Sequence, residues 1–166
     1  GGTRHDIDPD VVAEERLQYH GVQDGIVDAL TQNSFGVSSV LVEPELVPML
    51  NGNTFDANSV VRLAGGTIAT AVTWPKLTNV LRYELSQGIF DITAGGVLTL
   101  DSGVTVTGVN SGFRVNAYGQ LFAITTAGSP ATTLGVSVGV AANGRITSVG
   151  NRFDGQLRLS SGAVVD

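Results

Sequence analysis

The chain has 166 residues, enough for one domain with an appended arm and a sizeable core. It is 42% apolar but only 14% charged, well under the roughly 25% usual for soluble domains, so part of its surface is expected to be covered by a partner or built from Thr- and Ser-rich β faces. It has no cysteine, which excludes a disulfide scaffold, a thiolate metal site and a cysteine nucleophile, and no run approaches the eighteen or so apolar residues of a membrane span.

The net charge of −6 is unevenly spread. Residues 1–60 hold ten carboxylates against Arg4 and Arg16, whereas residues 102–166 hold four arginines against Asp154 and Asp166. An acidic front and a mildly basic rear argue against nucleic acid as a partner, because phosphate contacts need clustered Lys and Arg. The asymmetry allows complementary pairing between subunits.

Residues 1–36 read as an N-terminal arm. Asp8-Pro9 is a helix start: the carboxylate accepts from an orphan N–H, and proline sits where its missing donor costs nothing. A helix over about 9–31 would place Val12, Tyr19, Val22, Ile26 and Leu30 on roughly one face. Gly21 and Gly25 weaken it by about 1 kcal/mol each, so its stability would come from packing, and that face is the candidate partner-binding surface.

Residues 37–166 read as a β-rich domain. Val37 to Val42 is a short strand, Glu43-Pro44 starts a helical turn toward Leu50, and Val60 to Thr73 suggests two strands. Pro75 to Gln87 places Leu77, Val80, Leu81 and Leu85 on one helical face, which predicts a second short helix; the same residues admit a hairpin, Val80–Leu85 against Ile89–Thr93. From Gly88 onward the chain is strand and turn.

The densest stretch is Gly96–Thr125. Its segments open on Gly96, Gly103, Gly112 and Gly119, and the first two close on Asp101-Ser102 and Asn110-Ser111. Glycine tolerates the positive φ of tight hairpins, and Asn143-Gly144 is the strongest hairpin signal in the chain. Further strands fall at Leu134–Val140, Arg145–Val149 and Gln156–Ser160. The fold class expected is an antiparallel β-sandwich, barrel or prism of short strands. The spacing of the opening glycines is too irregular for a β-helix with fixed coils.

No motif names a reaction. Asp6, Asp8 and Asp10 have the spacing that opens a calcium loop, but Val11 and Leu17 stand where its glycine and bidentate Glu belong, and helix capping explains them better. His5 and His20 are the only histidines and lie far in sequence from any nucleophile. Asp91, Asp101 and Asp154 fall at strand ends, where turn chemistry accounts for them. Trp74, Tyr83, Tyr118 and Phe122 would serve core packing before sugar stacking. No catalytic residue, cofactor or metal is therefore assigned.

An acidic helical arm ahead of a Gly/Thr-rich β region resembles the capsid-decoration, head-fibre and tail-fibre proteins of bacteriophages. The likeness is carried by Gly96–Gly108, with its Asp-Ser-Gly-Val-Thr-Val-Thr-Gly run, and by Asn143-Gly144. It implies a non-enzymatic virion protein, a homotrimer whose residues 9–31 attach to another virion component such as the major capsid protein. Residues 96–166 would then form an intersubunit β body using Val104, Val106, Phe113, Val115 and Phe122. A carbohydrate- or receptor-binding module is the alternative, and a β-rich hydrolase is a third.

Overall fold

The computed structural model describes residues 32–36 and 39–166. Every strand pair among them is parallel. The chain winds as a three-sided β-solenoid, which replaces the antiparallel sandwich, barrel or prism expected from the sequence. The 9–31 helix lies outside the described residues.

Each full coil contributes three faces. The first carries β2 (Ser39–Val42), β4 (Ser59–Leu63), β7 (Val80–Leu85), the first part of β10 (Thr105–Val115), the first part of β12 (Thr133–Val140) and β14 (Arg152–Phe153). The second carries β5 (Thr67–Ile68), β8 (Gly88–Ile92), the latter parts of β10 and β12, and β15 (Leu157–Leu159). The third is a separate sheet of β6 (Ala71–Trp74), β9 (Val97–Leu100), β11 (Gln120–Ile124), β13 (Arg145–Val149) and β16 (Val164–Val165). A short parallel pair, β1 (Ser34–Phe35) with β3 (Thr54–Phe55), sits at the start, its two phenylalanine rings stacked 5.2 Å apart.

Parallel register stacks like upon like, and the core is a set of columns. Ile68, Ile92, Val115, Val140 and Leu159 form one, and Val72, Leu98, Leu121, Ile146 and Val165 another. A third runs Val40, Val61, Tyr83, Val106, Leu134 and Phe153. Side chains alternate in and out along each strand, so alternate residues fill the interior. Burying each large apolar side chain contributes about 1.5–3 kcal/mol. Within the core Trp74 packs against Tyr83 and Phe113, with ring centroids 5.5 and 5.7 Å apart. The Tyr83 hydroxyl donates to the Pro75 carbonyl at 2.5 Å, and burial, followed by the charge of Asp101, raises its pKa.

The corner between the second and third faces explains the repeated glycines. Gly95, Tyr118, Asn143 and Gly162 all have φ between 61° and 85°, and each is followed by a small residue: Gly96, Gly119, Gly144 or Ala163. A Cβ at Gly96, Gly119 or Gly144 would stand 2.1, 2.3 or 2.7 Å from the carbonyl oxygen of Ile68, Ile92 or Val115, one coil earlier. Asn143-Gly144 is therefore a solenoid corner and not a hairpin turn.

The expected second helix is strand β7. Its register against β4 slips between Ser59 and Val60, pairing Ser59 with Val80 but Val60 with Arg82. The extra residue, Leu81, is pushed outward and is 49% exposed. That bulge breaks the two-residue alternation and leaves apolar residues at helical spacing. The turn expected after Glu43 is a 3-10 helix, Pro44–Leu50, which continues through Pro48. It lies against β5 and β6, burying Val47 and Leu50 and accepting the Trp74 indole N–H at the Pro44 carbonyl, 3.0 Å away. The Glu45 carboxylate accepts from the backbone N–H groups of Ala69 and Thr70. At this end a helix stands where the second and third faces would continue.

Candidate interaction surfaces

Outward residues also stack. On the second face the column runs Asp91, Arg114, Gly139, Arg158. Arg114 grips Asp91 with two bonds, Nε to Oδ1 at 2.5 Å and Nη2 to Oδ2 at 2.6 Å, and Asn116 Nδ2 adds a third at 2.9 Å. The hydrogen bond from Arg114 is the main reason that the Asp91 pKa lies below the usual carboxylate value, and the same contact raises that of Arg114. On the first face Glu84 bridges Arg82 at 2.8 Å and Arg62 at 3.4 Å.

Beside the Arg114 column the surface sinks into an open groove of about 510 Å³, lined by Ile89, Asn110, Ser111, Arg114, Ser137 and Arg158 with several glycines between them. The groove forms because β10 carries four residues, Gly108–Ser111, where β12 has only Val136. The bulge projects Val109, 84% exposed, while Ser111 turns inward and donates to the Leu85 and Val109 carbonyls. Ile89, half-exposed, and the glycine floor give an apolar base with arginines above it. Such a surface fits a flat, partly anionic or hydroxyl-rich ligand, and it presents no nucleophile with an adjacent base.

The last described coil continues the same columns: Phe153, Leu157, Leu159 and Val165 lie over Leu134, Val138, Val140 and Ile146. Along this coil Arg152 pairs with Asp154 at 2.6 Å, Arg145 with Asp166 at 2.5 Å, and Arg158 Nε donates to Gln156 Oε1 at 2.8 Å.

Of the residues expected to join subunits, Val104, Val106, Phe113 and Val115 lie inside the solenoid, at most 1% exposed; Phe122 is partly exposed on the third face. The four buried ones pack in the core of their own chain. Val12, Tyr19, Val22, Ile26 and Leu30 lie outside the described residues, as do His5, His20 and the Asp6–Asp10 cluster. Asp91, Asp101 and Asp154 are kept apart: on the second face, at the corner after β9, and after β14 on the last coil. Trp74 is fully buried and Tyr118 is exposed on a corner, so the two form no aromatic platform. Among the described residues no three His, Asp or Glu side chains gather as a metal site would need.

The fold places the described chain among parallel β-solenoids. Comparison with known protein families, with curated proteins and with solved structures found no match.

Proposed function

We propose that this chain is a non-enzymatic structural protein of a virus particle, of the bacteriophage capsid-decoration or fibre type. It assembles through its β body and attaches to other virion components through its N-terminal arm. The observation that supports this reading best is the set of apolar side chains that interior coils carry outward: Val109 is 84% exposed and Leu81, Ile89 and Ile124 are each 49% exposed. Exposed apolar residues on a β face are a surface for another chain. Burial of those side chains on association contributes about 25 cal/mol per Å² before association costs.

Light scattering on the full chain tests the assembly reading. A mass of two or more times the 17.1 kDa chain supports it. A monomer across a wide concentration range overturns it.

A second reading, a glycan- or receptor-binding module, is favoured by the groove beside Arg114 and Arg158. Trp74 is buried and cannot report a ligand there by contact quenching, so calorimetry with acidic oligosaccharides is the test. Binding that Arg158→Ala abolishes would move this reading to the front.

A further inference from the structure

We propose that Asn51, followed by Gly52, is a site of spontaneous deamidation, whereas the chain's other Asn-Gly pair, Asn143-Gly144, is protected by the fold. Deamidation begins when the backbone nitrogen of the following residue attacks the asparagine carboxamide. Glycine in that position favours the attack, because no side chain hinders the approach and the backbone rotates freely. The sequence marks both pairs equally; their surroundings separate them.

Asn51 caps the end of the 3-10 helix Pro44–Leu50, and both it and Gly52 are exposed. The Gly52 N–H donates to Asn51 Oδ1 at 3.1 Å, so the attacking nitrogen and the carboxamide already lie on the same side of the turn. Gly52 has φ 82°, and a Cβ built there would have no atom within 4 Å, which leaves room for the peptide plane between the two residues to turn. At Asn143-Gly144 that plane is held at both ends. The Asn143 carbonyl accepts from Tyr118 N–H at 2.9 Å, and Gly144 N–H donates to the Ala141 carbonyl at 3.0 Å. Gly144 is also buried beneath the Val115 carbonyl oxygen, which a Cβ would approach to 2.7 Å. Rotation there requires the corner to open.

The step balances with water alone. The Gly52 amide gives its proton to hydroxide, and its nitrogen bonds to Cγ of Asn51. The Cγ–Nδ2 bond breaks, and Nδ2 takes up a proton and leaves as ammonia, closing a succinimide ring. Water then opens the ring at either carbonyl, leaving aspartate or isoaspartate at this position. Each product adds one negative charge to the acidic front of the chain. Isoaspartate also lengthens the backbone by a methylene between the helix and β3, where Asn53 Nδ2 donates to the Leu50 carbonyl at 2.9 Å.

Peptide mass mapping of the full chain, held for weeks in mildly alkaline buffer, tests this, with isoaspartate methyltransferase labelling to identify the linkage. A parallel sample unfolded in guanidinium chloride calibrates both sites. In the folded chain Asn51 should convert at least tenfold faster than Asn143, with the isoaspartate label on the Asn51 peptide. In the unfolded sample the two rates should converge. Equal rates in the folded chain, or an Asn51 that stays intact there while the unfolded sample converts, overturns the proposal. A difference that persists on unfolding overturns protection by the fold.

Discussion

Gly119 sits directly over Ile92 at the corner between the second and third faces, so close that a Cβ there would lie 2.3 Å from the Ile92 carbonyl oxygen. The corner is held by backbone: Gly119 N–H donates to the Asn116 carbonyl at 2.9 Å, and the Gly119 carbonyl accepts from Arg145 N–H at 3.0 Å. A methyl group can be fitted only by moving one coil away from the next.

Gly119→Ala is therefore expected to destabilise the fold by about 3 kcal/mol, at the upper end of overpacking effects. Gly139→Ala is the control, since the Cβ would meet only the Phe113 carbonyl oxygen at 3.9 Å. It should fall within about 0.5 kcal/mol of the wild type. Urea denaturation of both variants checks the difference, and equal losses would count against the corner as the cause.

Tyr118, the residue before that glycine, has φ 63° and is 69% exposed. A bulky side chain in the left-handed region costs about 1–2 kcal/mol, and asparagine, which occupies the equivalent corner at Asn143, tolerates it better. Tyr118→Asn should raise stability by roughly 0.5–1 kcal/mol. A lower melting temperature would mean that the ring makes a contact that outweighs the strain.

The Asp91–Arg114 pair gives a pH signature. Asp91 has a lowered pKa in the folded chain, so its ionised form is the better bound one. The stabilisation is present above the ordinary Asp value, about pH 4, and is lost as pH falls through the lowered folded value. Asp91→Asn should melt below the wild type at neutral pH, and the gap should close under acid. A gap that is constant from neutral pH down to about pH 2 would contradict the linkage.

Strand content and most strand positions were legible, because Val, Thr, Phe and Ile at alternate positions mark a pleated surface. Strand direction was not. A left-handed residue followed by glycine turns the chain in a hairpin and at a solenoid corner alike, so Asn143-Gly144 is locally ambiguous. The deciding signal is long-range. Gly96, Gly119 and Gly144 recur after 23 and 25 residues, and Asn58, Asn79 and Gly103, all with positive φ, mark the entry to the first face at similar steps. Variable coil length blurs that period: Leu134 stacks 28 residues after Val106, whereas Phe153 follows Leu134 by 19. The single-residue bulge at Leu81 hid β7 in the same way. The groove was illegible because it depends on three-dimensional neighbours, an insertion in β10 relative to β12.

Light scattering of the full chain, alongside Val109→Asp, tests the assembly account most directly. The account predicts an oligomer for the wild type, and a lower mass with the β signal preserved when a charge replaces the 84% exposed Val109. A wild-type monomer, or an oligomer that Val109→Asp leaves at the wild-type mass, would contradict assembly through the exposed apolar side chains of the β body.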